Sequence, residues 1–239
     1  VDFSRYGDST PADNSVTLAK LASGTDGNII SYDASGNPVA VVTGDDGQVL
    51  TSAGAGAPPV FETVSITKGV HTIYIPAGAM KPTTSNGCAS IASVETTAGR
   101  PDMNVLDFDK DADEAAQFNV CFPKSWNLGT ITYQAWWAGL AATTGVAWGL
   151  QGVAVSDNTT IDVAYGSAVI VTDDAQGAVE ELLVSAESGA VTIAGSPADN
   201  DLCYFRIFRD VSDGNDDMAG DARLLGVKLF FTTDAETDD

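Results

Sequence analysis

The stretch Arg223-Leu224-Leu225-Gly226-Val227-Lys228-Leu229-Phe230-Phe231 sets Leu225, Val227, Leu229 and Phe231 in alternation with Leu224, Gly226, Lys228 and Phe230. Successive side chains of a strand point to opposite faces, so this segment reads as a strand with one wholly apolar face and one mixed face. The apolar face belongs in a core, and the mixed face, with Phe230 on it, is expected to pack between subunits. Short apolar runs separated by turn residues recur back to residue 60. They place strands near residues 60–66, 70–75, 88–95, 103–109, 117–122, 130–137, 146–155, 168–172, 181–186, 191–194, 202–209 and 223–231. These twelve runs exceed by two or three the strands expected of the domain. Runs of this length and spacing specify an all-β, jelly-roll-like antiparallel β-sandwich over residues 60–239, not alternating βα units. One short helix is expected over residues 158–165, N-capped by Ser156 or Asp157.

Upstream of the sandwich, Gly24-Thr25-Asp26-Gly27-Asn28-Ile29-Ile30-Ser31 aligns with Gly44-Asp45-Asp46-Gly47-Gln48-Val49-Leu50-Thr51 at an offset of 20 residues, and Gly36 and Pro38 align with Gly56 and Pro58. Each copy reads as an Asp-Gly turn, a short strand, a Gly-containing turn and a Pro-led second strand. Residues 24–59 thus form a two-copy repeat stem, and residues 1–23, polar and Pro-containing at first, an attachment arm. Two units this small cannot bury a core alone. The missing burial is expected from other copies of the chain, with Ile29, Val41, Val49 and Leu50 packed against neighbours.

Acidic residues outnumber basic ones 33 to 11 in this 239-residue chain, a formal net charge of −22. Such a surface repels phosphate backbones, so nucleic acid is excluded as a partner. No stretch reaches the roughly 18 apolar residues of a membrane span, and Val1-Asp2-Phe3-Ser4-Arg5-Tyr6 has no signal-peptide core, so synthesis in a cytoplasm without membrane insertion is expected. Cys88, Cys121 and Cys203 are odd in number and sit in apolar or strand-like runs, which reads as buried free thiols.

Candidate chemistry is sparse. His71, the sole histidine, lies in a strand-like run with no GxSxG elbow. Asp107, Asp109, Asp111 and Asp113 alternate as calcium loops begin, but Ala112 stands where such a loop needs Gly and Phe118 where it needs Glu, so a solvated turn is the simpler reading. The acidic run 210–217 reads as an exposed loop with Asx turns. Glu180 and Glu181, or Asp113 and Glu114, could flank a sugar bond as a glycosidase requires. Trp126, Trp136 and Trp148 are candidates for stacking on a glycan of a host surface, while the adjacent pair Trp136 and Trp137 must point to opposite faces, one into the core. No catalytic constellation and no cofactor motif accompanies them, so no enzymatic activity is expected.

The repeat form over residues 24–39, with its second copy ending Leu50-Thr51-Ser52-Ala53-Gly54-Ala55-Gly56-Ala57-Pro58, resembles segments of tail-fibre and related structural proteins of tailed phages. Pro76-Ala77-Gly78-Ala79-Met80-Lys81-Pro82-Thr83-Thr84 and Phe122-Pro123-Lys124-Ser125-Trp126-Asn127 are similar to a domain of virion proteins from phages of marine and related bacteria. The resemblance implies a virion location and a homo-oligomeric fibre or head appendage, often a trimer. Such an appendage docks on other tail or capsid proteins and presents the sandwich outward for host attachment. A capsid decoration protein and a polysaccharide depolymerase are the competing expectations.

Overall fold

Each copy of the repeat folds as an antiparallel hairpin in the computed structural model, which describes residues 23–64 and 69–238. In the first, β1 (Ile29–Tyr32) pairs with β2 (Pro38–Val41); in the second, β3 (Gln48–Thr51) pairs with β4 (Val60–Thr63). The Asp-Gly dipeptides turn the chain ahead of each hairpin. Asn28 N–H bonds to Thr25 O at 3.2 Å and Gln48 N–H to Asp45 O at 3.1 Å, with Gly27 and Gly47 at φ 79° and 84°, a left-handed conformation that only glycine adopts without strain. Val41 is buried at 5 % exposure, whereas Ile30 and Tyr32 are exposed at 60 % and 63 %. Val60–Thr63, expected to open the sandwich, instead pairs with β3 and closes the second repeat, and Val41, expected to pack against other copies, is already buried within its own chain. The attachment arm of residues 1–23 lies, apart from Ser23, outside the described residues.

The chain divides into two compact units, Val1–Thr67 and Lys68–Asp239. The second contains β5 (Val70–Pro76), β6 (Lys81–Pro82), β7 (Ala92–Glu95), β8 (Asp102–Phe108), β9 (Glu114–Val120), β10 (Thr132–Ala138), β11 (Gly145–Val155), β12 (Val169–Asp174), β13 (Leu183–Val184), β14 (Ile193–Ala194), β15 (Leu202–Arg209) and β16 (Ala222–Thr232). The expected surplus of strands does not materialise: all twelve runs overlap strands, two of which, β13 and β14, are only two residues long, and β6 arises outside every run. One sheet runs β13-β10-β16-β8-β7, with β5 also paired to β16. The other runs β12-β11-β15-β9-β6, with β14 also paired to β11. All pairs are antiparallel except β11 with β14. The two sheets form the sandwich, and their inward side chains fill one core.

Aromatic side chains dominate that core. Trp148 meets Phe108 edge-on at 5.2 Å, Phe118 stacks on Phe205 at 5.2 Å, and Phe122 tilts against Trp126 at 4.4 Å. Such offset and edge-on pairs add to the burial of their large apolar area. Tyr133 is wholly buried, and its hydroxyl donates to Trp148 O at 2.6 Å and Val169 O at 2.9 Å, which ties the two sheets together.

Four further expectations change. The alternation in β16 breaks at Leu225: Trp136 pairs with Gly226 and Trp137 with Leu224, so Leu225 is bulged out and Leu224 is the buried residue. The helix over residues 158–165 is absent. Asn158 takes φ 63°, Thr159 bonds back to Ser156 O, and Tyr165 and Gly166 bond to Gln117 and Gly152, which holds the segment extended. Cys121 is exposed, while Cys88 and Cys203 are buried. The acidic run is only partly a solvated loop. Asp213 accepts Asn215 N–H as an Asx turn does, but Asp216 is buried against Arg209.

Candidate functional site

A groove of about 510 Å³ lies on the outer face of the first sheet. Its aromatic wall is Tyr74, which alternation on β5 points away from the core residues Ile73 and Ile75. The ring leans over Gly226, where a Cβ would stand 2.4 Å from the phenol oxygen, so only glycine permits this approach. The Tyr74 hydroxyl donates to Leu225 O at 3.3 Å, a carbonyl presented by the bulge, and burial raises its pKa. Trp136 meets the same ring edge-on at 5.6 Å. A half-exposed aromatic platform results, with Leu182, Leu225 and Met103 as apolar neighbours.

Polar groups surround this platform. Asp102 and Asn104 come from β8, Arg100 from the turn before it, and Glu180 and Glu181 from the loop before β13. Glu181 folds that loop by accepting Ala178 N–H at 3.1 Å, and Glu180 sits at φ 63°, a conformation uncommon outside glycine. The side chains of Arg100, Asp102, Asn104 and Glu180 make no hydrogen bond or ion pair among the described residues. Their donors and acceptors are free for a ligand. Three carboxylates against one guanidinium make the groove net negative.

No protein-family model matches the chain, and no curated protein matches it. Among solved structures, the isomalto-dextranase of Arthrobacter globiformis T6 is 17 % identical over 66 % of this chain, with a TM-score of 0.40. The chain spans 23 % of that enzyme's length. The CBM22-2 xylan-binding domain of Paenibacillus barcinonensis Xyn10C is 12 % identical over 65 % of this chain and 92 % of its own, with a TM-score of 0.37. The enzymatically active domain of tailspike protein 4 of bacteriophage CBA120 is 10 % identical over 68 % of this chain and 19 % of its own, with a TM-score of 0.32. Likeness of this degree carries no inference about function, which rests on the surfaces of this chain.

Of the indoles singled out in the sequence, Trp126 and Trp148 are core residues at 2 % and 0 % exposure and cannot stack on a ligand. Alternation places Trp137 inside, where its N–H donates to Asp173 at 2.7 Å, and leaves Trp136 on the outer face. The four alternating aspartates do not converge. Asp107 faces Arg223 at 3.4 Å, its carboxyl raised by burial more than Arg223 lowers it; Asp109 accepts Asp111 N–H at 2.6 Å; Asp111 pairs with Lys110 at 2.6 Å; Asp113 accepts Val211 N–H at 3.0 Å. Among the described residues no group of three or more His, Cys, Asp or Glu side chains could hold a metal ion. Glu114 is likewise occupied, by Asp109 N–H at 2.8 Å, so Asp113 and Glu114 serve the turn. His71 tilts against Phe231 at 5.9 Å at the sheet margin. Tyr74 escaped the sequence reading, since a strand tyrosine carries no mark of the bulge that will receive it.

Proposed function

We propose that this chain is a non-enzymatic glycan-binding attachment protein of a tailed-phage particle, an oligomeric fibre or surface appendage whose sandwich holds sugar in the groove beside Tyr74. The observation that carries the binding reading is the juxtaposition of the Tyr74 ring with four unspent polar side chains. A pyranose presents apolar C–H faces and a rim of hydroxyls, and this lining matches both. The net negative lining favours a neutral or amine-bearing sugar. Glu181 is engaged in folding its loop, and the groove is read as a binding site; release of reducing ends would instead assign cleavage to the free carboxylates Asp102 and Glu180.

The stem supports the particle reading. Its two hairpins leave Ile29, Ile30, Tyr32, Val49 and Leu50 exposed, and copies of the chain around a rotation axis would cover them. Affinity electrophoresis of the full chain through gels containing xylan, dextran or galactan tests the groove. Retardation by a neutral glycan, lost at least about tenfold in Tyr74→Ala, is expected, with no release of reducing ends. Equal mobility in all gels overturns the binding role, and a monomer by light scattering overturns the fibre.

A further inference from the structure

The second sheet carries a different surface on its outer side. Lys81 on β6 pairs directly with Gln117 on β9, Gln117 with Arg206 on β15, and Arg206 with Gln151 on β11. Directly paired residues share a face, and the neighbours Phe118, Phe205, Ile207 and Leu150 are in the core, so this row faces outward across four strands. Strand spacing sets Lys81 and Arg206 roughly 10 Å apart at the backbone. Tyr165 crosses the same face, its hydroxyl accepting from Gln117 Nε2 at 2.9 Å, and the Arg206 guanidinium lies 4.9 Å over the ring of Phe208.

The charge of this row is unusual for the molecule. Of the eleven basic residues, Arg5, Lys20 and Lys68 lie outside the described ones, and of the eight that remain Lys110, Arg209 and Arg223 are ion-paired. Among the described residues Lys81 and Arg206 have no ion-pair partner and share one row, and the outward neighbours Asn119, Gln151, Val153 and Tyr204 include no carboxylate. Glu114 at the end of β9 is engaged by Asp109, and the segment after β11 that carries Tyr165 also brings Asp162 and Asp157, the latter lining one pocket with Tyr204 beyond the end of the row. In a chain of net charge −22 the row from Lys81 to Gln151, with two cations and no carboxylate, is a local exception.

We infer that the outer face of the second sheet binds a sparsely acidic polysaccharide, one carrying a carboxylate on alternate sugars. Lys81 and Arg206 would each meet a carboxylate, Gln117 and Gln151 the hydroxyls between, and Tyr165 a sugar face. Two cations this far apart suit widely spaced charges. Nucleic acid, with a charge every ~1.7 Å of duplex, would meet far more repulsion than attraction here. This face is on the opposite sheet from the Tyr74 groove, and the inference stands or falls without it.

The test is affinity electrophoresis and titration calorimetry of the full chain with hyaluronan, xylan and a DNA oligonucleotide at low and physiological salt. Hyaluronan should bind, weaken with salt, and lose about tenfold in affinity in Lys81→Gln and in Arg206→Gln, while Tyr74→Ala leaves it unchanged. Arg206→Lys should recover part of the loss, which separates charge from folding. Absence of hyaluronan binding at low salt, affinity indifferent to both variants, or equal binding of DNA overturns the inference.

Discussion

Arg209 and Asp216 form a buried ion pair, the guanidinium Nη2 lying 2.7 Å from Oδ1 and Nε 2.9 Å from Oδ2, with 0 % and 2 % of their side chains exposed. The remaining guanidinium protons go to Gly220 O at 2.8 Å, Met218 O at 3.0 Å and Phe108 O at 3.3 Å. Asp216 also accepts Ala147 N–H, so one pair ties the loop between β15 and β16 to β8 and β11. Removing one partner strands the other charge in the core. Asp216→Ala should destabilise the sandwich by about 3–5 kcal/mol, and replacing both residues by Met and Leu should cost less than either single change. Urea denaturation of the three variants measures this.

Gly226→Ala should weaken both stability and glycan binding. The added Cβ would stand 2.4 Å from the Tyr74 hydroxyl and 2.7 Å from Ile75 O, and the backbone atom cannot swing aside. A loss of about 1–3 kcal/mol is expected by denaturation, with retardation in a neutral-glycan gel falling alongside as the Tyr74 ring is displaced from Trp136.

The two indoles should separate cleanly. Trp148→Ala opens a hole in the centre of the core and should cost about 3–5 kcal/mol. Trp136→Ala, on the outer face, should cost less stability yet lose more affinity for a neutral glycan. Equal effects of the two on binding would show that the platform does not contact sugar.

Thiol chemistry should follow burial. Cys121 should react with a chromogenic disulfide in the folded protein, and all three cysteines should react in guanidinium chloride. Burial is the main cause that pushes the Cys88 and Cys203 thiols up to about 12, with Glu114 adding to the shift of Cys88 and Asp201 to that of Cys203. A thiol whose folded pKa lies above its unfolded value holds its proton more tightly when folded. Its contribution is therefore complete below about pH 9 and lost as the pH rises toward 12. Chemical denaturation from pH 8 to 11 should show stability falling above pH 9, and less steeply in Cys203→Ala.

Periodicity along the chain was enough for the strands, because whether a residue faces core or solvent in a sheet is a local matter of alternation. Eleven of the twelve apolar runs overlap strands of the second unit, and the first, at residues 60–66, supplies the second strand of a repeat hairpin. The offset of 20 residues likewise translates into two hairpins with glycines at matching turns. Which of Trp136 and Trp137 faces out was undecidable there, since alternation sets them on opposite sides without saying which side is the core.

The groove was legible only in fragments. Glu180 and Glu181, and Trp136 packed against the Tyr74 ring, stand out as residue types, but Tyr74, Arg100 and Asp102 do not, and the residues involved come from segments more than a hundred positions apart. What joins them is the bulge at Leu225, a single residue left over when β16 pairs with β10, which turns one carbonyl toward Tyr74 and leaves Gly226 beneath its ring. The row from Lys81 to Gln151 likewise exists only through strand register. Composition and alternation therefore determined an acidic, all-β chain with a repeat stem. Which side chains meet on its faces is a property of pairing between distant strands, and that was decided by the packing of the whole sandwich.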